Sequence, residues 1–501
     1  MAYVLLLSVS LVLCLLSGFS SSSIVHAAAA AADEEHAGYT LVVISSLKQK
    51  ADCSGHRVSP PQNRTWVPLS LSHGPCSSSS SAALPGREKK PSLAELLRQD
   101  QLRVDSILMA LSGSDDYADE KAKKHAAKST TTLMQHGPVV DVNVGSASSI
   151  SSSVQSIDPM ASGGGSSSRR RRSMPGVTQT MMVDTASDVP WVQCHPKATA
   201  AGSGSFFDPT RSRTYAAIPC GSPACARLGP YANGCVNGRC QYRVAYPDGS
   251  STLGTYSSDL LTITPSDAVS GFQFGCSQAE TGSFDARSSG IVALGGGAES
   301  LLSQTAASHG NAFSYCVPPT PSDAGFFVLG APTTAAATSG FVATPMTRFP
   351  RSSTFYRVVL RDITVAGRRL NVPAAALAAG AVMDSRTAIT RLPPTAYGAL
   401  RAAFRRRMAA YRLAPPRGAL DTCYDFTGVA VVRVPRVALV FDRSAAAVEL
   451  DPSGILFNDC LAFASNGADS APGIIGNVQQ QTMEVLYNVG GGAVGFRRGA
   501  C

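Results

Sequence analysis

Charge is scarce in this sequence: Asp, Glu, Lys and Arg make up 15% of its 501 residues, against roughly a quarter in an ordinary soluble domain. Aromatic residues reach only 7%, with two tryptophans, and the eight histidines are scattered. A chain so poor in charge and so rich in Gly, Ser, Ala and Pro does not read as a helical bundle. It suits β-rich structure with many turns. The formal charge of +9 lies largely in local clusters, the arginines at 169–172 and 405–407. That reads as a solvated basic face rather than as support for a nucleic-acid partner. No G-x-S-x-G elbow, H-E-x-x-H pair or phosphate-binding loop occurs, which removes the usual signatures of serine hydrolases, zinc proteases and nucleotide enzymes. Long apolar runs are missing too. The stretch 2–16 falls short of the roughly 20 residues that span a bilayer. Followed by small residues, it reads as a secretory signal (1–27) cut near Ala27, although no basic residue precedes it.

Cysteine, by contrast, is plentiful. Of thirteen, Cys14 lies in the leader, and the remaining twelve are an even number in a chain bound for an oxidising compartment. Disulfides are expected. Cys220, Cys225, Cys235 and Cys240 read C-x4-C-x9-C-x4-C, a spacing that also admits zinc, but metal sites prefer tighter pairs or histidine partners.

Residues 28–175 differ in texture from the remainder of the chain. In PSLAELLRQDQLRVDSILMAL, Leu93, Leu97, Val104, Ile107, Leu108 and Leu111 form one helical stripe, and Ser92 with Glu95 has capping-box spacing. Polar, repetitive sequence surrounds this helix and ends in ASGGGSSSRRRRSMPG, a linker that buries no core. Its four arginines mark either a processing site or a solvated linker, and Asn63 heads a lone glycosylation sequon. The segment reads as a pro-segment plus linker. From Gly176 onward, short apolar runs such as TMMVDT, GFQFGC and YRVVLRDITVAG alternate with turn residues, giving a mostly β chain with short helices near 298–307 and 395–410.

One frame occurs twice. MMVDTASDVPW and AVMDSRTAITRL each carry an apolar pair, an Asp, a hydroxyl, an odd residue and a second hydroxyl. Each is followed later by an apolar run opening on Gly, in SGIVALGGG and PGIIGNV. A pair of related lobes would bring Asp184 and Asp384 together at their junction. Two carboxylates so placed share one proton, so one can activate water while the other protonates or polarises a carbonyl. Thr185 and Ser385 are expected to fix the loops, and Ser187 and Thr387 to hydrogen-bond the carboxylates.

The segments VDTASDVPWVQC, FFDPTRSRTYAAIPCGSPAC, CQYRVAYPDGSSTLGTYSSDLLT, FGCSQAETGSF, MDSRTAITRLPPTAY, DTCYDF and GIIGNVQQQTMEVLYNVGGGAVGFRRGAC follow one another as in a known family. The chain resembles the pepsin-like aspartic endopeptidases, within them the plant nepenthesin-type group. The resemblance implies a mostly β, bilobal pepsin-like acid protease fold with the active-site cleft between an N-terminal lobe (176–340) and a C-terminal lobe (341–501). It implies Asp184 and Asp384 as the catalytic pair, Tyr246 on a flap over the substrate, and Trp191 supporting that tyrosine. The stretch 194–240 corresponds to the group's cysteine-rich insertion, and 65–111 to its pro-segment. No cofactor and no metal are implied. The implied partner is a protein or peptide substrate, met by a monomer in the secretory pathway, extracellular or vacuolar, with no membrane attachment after signal removal.

Several positions depart from the family's pattern. Ala186 and Arg386 stand where glycine is usual. A guanidinium beside the pair would lower an Asp pKa by about 1–3 units and oppose the shared proton, unless the Arg386 side chain turns out to solvent. Pro247 follows the flap tyrosine, Ala293 replaces a glycine, Lys197 stands where a cysteine is usual, and Gly/Ser/Arg sequence replaces the strand before Asp184. These changes favour the alternative expectation, an inactive protease-fold protein that binds a protein or glycan.

Overall fold

The computed structural model describes residues 38–47, 53, 65–72, 76, 92–112, 137–146, 175–195, 206–246, 250–281, 288–332, 338–444 and 446–501. The leader, Asn63, the arginines at 169–172, Lys197 and Pro247 lie outside the described residues. Strands dominate. The largest sheet runs from Val342–Pro345 through Ala493–Arg498, Met483–Asn488, Ala312–Cys316 and Gly325–Leu329. It continues through Thr65–Leu71 and Pro138–Ser146 into the N-terminal lobe. The C-terminal lobe carries its own six-stranded sheet, with Ala381–Met383 and Gly473–Ile475 at its centre.

The strand expected to be missing before Asp184 is present. Pro175–Asp184 pairs antiparallel with Pro138–Ser146, from Val139 opposite Met182 to Ser146 opposite Pro175. VVDVNV supplies the alternation such a strand needs: Val140, Val142 and Val144 are core residues beside Met181 and Val183. Residues 138–146 therefore belong to the N-terminal lobe's sheet, although the sequence reading assigned them to the segment ahead of it. Low-complexity sequence between the two strands hid their pairing.

The sheets are joined by packing at the lobe junction. Phe313 stacks on Tyr487 at 4.5 Å, and Tyr356 meets Tyr487 edge-on at 4.9 Å. β-branched and aromatic residues fill these positions because a half-buried pleated surface accommodates them best. The two short helices span Leu301–His309 and Pro394–Arg407.

All twelve cysteines after Cys14 are paired, as Cys53–Cys76, Cys194–Cys276, Cys220–Cys235, Cys225–Cys240, Cys316–Cys501 and Cys423–Cys460. The four-cysteine cluster is thus two interleaved disulfides, not a zinc site. Cys194 finds Cys276 on the neighbouring parallel strand, where Val192 lies opposite Cys276.

If residues 138–146 are core, Val140→Asp buries an unpaired charge at a site 2% exposed. Such a change is expected to cost more than about 4 kcal/mol. Thermal unfolding of the variant against the parent chain tests this; an unchanged melting temperature would restore the linker reading.

Candidate active site

Each aspartate ends a buried strand that lies parallel to a glycine-led partner. In the N-terminal lobe Gly290–Ala293 runs alongside, with Ala293 opposite Asp184. In the C-terminal lobe Gly473–Ile475 does the same, with Met383 opposite Ile475 and Asp384 N–H donating to the Ile475 carbonyl at 3.1 Å. The two loops then lock across the junction. The Thr185 hydroxyl donates to Met383 O (3.2 Å) and accepts from Ser385 N–H (3.0 Å), while the Ser385 hydroxyl donates to Val183 O (2.8 Å) and accepts from Thr185 N–H (3.2 Å). Short side chains with one donor and two lone pairs are what a reciprocal arrangement of this kind requires.

Both carboxylates are wholly buried and held by local donors. Ala186 N–H reaches Asp184 Oδ1 at 2.9 Å. Thr387 gives Asp384 Oδ2 both its N–H (2.9 Å) and its hydroxyl (2.6 Å). Ser187 differs from expectation: among the described residues no hydrogen bond joins its hydroxyl to Asp184, and its carbonyl accepts from Gly295 N–H at 2.8 Å. Trp191 Nε1 donates to the Tyr246 hydroxyl at 3.0 Å, so these two aromatics stand together at the cleft.

Two guanidiniums meet the pair. Arg103, from the helix Leu93–Ser112, places Nη2 at 2.7 Å from Asp184 Oδ1 and 2.7 Å from Asp384 Oδ1, with Nε 2.7 Å from Asp384 Oδ2. One nitrogen touching both side chains sets the carboxylates within two hydrogen-bond lengths of each other. Arg386 is the second. Its side chain does not turn to solvent: it is 7% exposed and donates from Nη1 to Asp184 Oδ2 at 2.8 Å. Neither Ala186 nor Arg386 has a positive φ, so the residue at 386 changes charge and space without straining the backbone. Burial raises the Asp184 pKa, but the Arg103 and Arg386 guanidiniums outweigh it and hold the carboxyl at about 2.

The helix fills the cleft. Leu97 packs with Ile389, Leu420 and Val478, and Val104, Ile107 and Leu108 pack with Phe355, Val382 and Ile474. Ser92 Oγ caps the first turn by accepting from Glu95 N–H at 3.2 Å, and the Glu95 carboxylate bonds Arg98 and Gln99. A second charged contact lies one turn before Arg103. Asp100 accepts from Ala388 N–H (2.5 Å) and from Arg391 Nη2 (2.8 Å). Beside the helix a groove of about 430 Å³ stays open, lined in part by Leu71, Leu96, Gly137, Ala388, Phe457 and Val478. Arg103, Asp100 and Arg391 were not singled out in the sequence. Their signal was Asp100 standing inside the apolar stripe, at i+3 from Leu97 and i−4 from Val104, where a charge needs a buried partner.

The fold is that of pepsin-like proteins. It aligns with basic 7S globulin from soybean (TM-score 0.54, 18% identity, 72% of this chain and 91% of that one) and with conglutin gamma from lupine seeds (TM-score 0.53, 17%, covering 74% and 93%). Residues 171–331 match the family described as Xylanase inhibitor N-terminal, and residues 355–498 match Xylanase inhibitor C-terminal. The chain is 34% identical over 440 residues to Aspartyl protease AED1 of Arabidopsis thaliana, covering 86% of this chain and 85% of that one. It is 29% identical over 335 residues to Aspartic proteinase nepenthesin-2 of Nepenthes gracilis (64% and 74%). The chain belongs to the pepsin-like aspartic protease family.

Helix docking on an ionised Asp184 has a definite pH dependence. A carboxyl depressed to about 2 loses its contribution as pH falls from about 4 toward 2; because Arg386 stays on Asp184 with or without the helix, only the part due to Arg103 is linked to docking, at most about 2 kcal/mol. Asp100 does not add to this, because burial pushes its carboxyl up against the pull of Arg391. Protection of the helix amides relative to intrinsic exchange at each pH is therefore expected to fall below about pH 4. In Arg103→Gln it should be low at pH 6 as well, since removing one partner of a buried pair costs about 3 kcal/mol or more.

Proposed function

We propose that this chain is the latent form of an aspartic endopeptidase that hydrolyses peptide bonds in extended protein segments. The observation that supports it most directly is the meeting of Asp184 and Asp384 on the single guanidinium of Arg103. A site that needs a cation to lie quietly between two carboxylates is, once the cation leaves, a site for one proton and a water. In this reading the helix leaves with its segment and an extended peptide takes the cleft, with Tyr246 and Trp191 above it.

The chemistry is general acid–base. Arg386 stays on Asp184, which acts as the ionised base and takes a proton from the attacking water. Asp384 carries the shared proton and donates toward the substrate carbonyl oxygen; the tetrahedral adduct then collapses with protonation of the leaving amine. Thr387 orients Asp384, and the Thr185–Ser385 lock holds the geometry through both halves of the cycle. Turnover requires Asp184 to hold a proton in mid-cycle, which Arg386 opposes. The 2.8 Å contact between Arg386 and Asp184 also favours a second reading, a peptide-binding cleft without turnover. The six disulfides fit a secreted or vacuolar destination.

The acid-processed chain should cleave a denatured protein between pH 3 and 7, with activity abolished in Asp184→Asn and in Asp384→Asn. Both limbs of the pH profile follow the pair, so Arg386→Gly should raise kcat and move the profile up by about 1–3 units. A native chain that is silent but binds a transition-state-mimicking inhibitor, and stays silent as Arg386→Gly, would select the second reading.

A further inference from the structure

We propose that the position filled by the Asp100 carboxylate is a substrate subsite for an acidic side chain, and that the open cleft prefers peptides carrying Asp or Glu there. This rests on the protease reading above and names its substrate class. Asp100 precedes Arg103 by one helical turn, about 4.5 Å along the axis, so the subsite adjoins the reacting pair. Its donors belong to the C-terminal lobe: Ala388 N–H at 2.5 Å and Arg391 Nη2 at 2.8 Å, with the Ile389 N–H beside them. They follow Asp384 directly in the chain, on the loop and strand that set the catalytic geometry.

Arg391 is built in, not borrowed from the surface. It is fully buried, sits in the strand Thr390–Leu392, and is steadied by Nη1 donating to Ile389 O at 3.3 Å. Among the described residues its Nε has no hydrogen-bond partner. Its carboxylate partner is Asp100, and Gln101 Oε1, also on the helix, is 3.4 Å from Nη2. Departure of the helix removes these side-chain acceptors together and leaves a guanidinium and a backbone N–H aimed at one point. A buried guanidinium without a counter-charge is strongly unfavourable, so the next occupant is selected for charge. A carboxylate restores the arrangement, an amide restores only hydrogen bonds, and a lysine is repelled. Ala388 also lines the groove beside the helix, so a peptide lying there passes the subsite. Burial is the largest influence on a carboxyl at that position and opposes its charge; of the charged groups, Arg391 favours a carboxylate and Asp384 opposes one.

Paired peptides differing only by Glu or Gln at each position, presented to the acid-processed full-length chain, test this. The ratio of kcat/KM for Glu over Gln at one position should be at least about tenfold at pH 6. Arg391→Leu should abolish the preference at every pH. Arg391→Lys, which keeps the charge if the leucine variant does not fold, should retain part of it. A parallel arm measures binding of transition-state-mimicking inhibitors carrying Glu or Gln, which needs no turnover. Cleavage without a Glu preference, or with one that survives Arg391→Leu, overturns the subsite and leaves the protease reading intact. Glu-selective inhibitor binding without cleavage supports the subsite and removes the protease reading. Equal binding of both inhibitors without cleavage overturns both.

Discussion

Two carboxylates and two guanidiniums share one buried point, and the rest of the molecule is arranged to make that tolerable. Asp184 and Asp384 are both 0% exposed, with Arg103 and Arg386 against them. Formally the four charges cancel. Burying any one of them alone would be prohibitive, and burying two like charges a hydrogen bond or two apart would be worse. What makes the cluster possible is that every partner arrives on a rigid element. The aspartates end strands, Arg386 sits between two bonded loop residues, and Arg103 comes from a helix held along its length by apolar contacts.

The lobes cooperate through backbone as well as charge. The reciprocal bonds between Thr185 and Ser385 join residues 200 positions apart in sequence. They tie the position of one carboxylate to that of the other. Asp188 adds a further tie: its carboxylate accepts from Gly297 N–H within the N-terminal lobe at 2.8 Å and from the Thr354 hydroxyl of the opposite lobe at 2.6 Å. Displacing either loop would break bonds in both lobes, which is why the residue at 386 can be a bulky cation without dispersing the pair. The substitution changes the electrostatics of a geometry fixed by its neighbours.

Much of this was legible because it repeats. The doubled Asp-hydroxyl frame and the later glycine-led runs correspond to strands the structure pairs in parallel, Gly290–Ala293 with Pro175–Asp184 and Gly473–Ile475 with Ala381–Met383. The stripe on the helix was equally plain, since its period is local. Pairing between distant segments was not. Val140, Val142 and Val144 carry a strand's alternation, but a long Gly/Ser/Arg stretch separates them from their partner, and a strand's worth depends on what it pairs with. The direction of Arg386 was illegible for a related reason. A long side chain on a tight loop can reach solvent or the dyad, and only the surrounding packing decides. Arg103 and Arg391 carry charges whose meaning lies entirely in partners far along the chain.

The helix is held by two kinds of force with different responses to acid. Leu97, Leu102, Val104, Ile107 and Leu108 are buried, and apolar burial of such side chains is worth about 1.5–3 kcal/mol each at any pH. Asp184, held low by the guanidiniums, loses its charged contact in acid, whereas burial pushes the Asp100 carboxyl up, so protonation there does not oppose docking. Protonating Asp184 removes at most about 2 kcal/mol of docking, less than the apolar stripe supplies. Acid by itself therefore loosens the helix over the aspartates without expelling it. Departure needs the apolar face to lose its hold as well, and severing the chain between helix and lobe does that by turning a tethered contact, with its high effective concentration, into a dilute one. A cut in the arginine-rich stretch between the strands that end at Ser146 and begin at Pro175 does not do this, because the helix stays attached to the first of these strands and the strands remain hydrogen-bonded to each other; the releasing cut has to fall between Ser112 and Gly137.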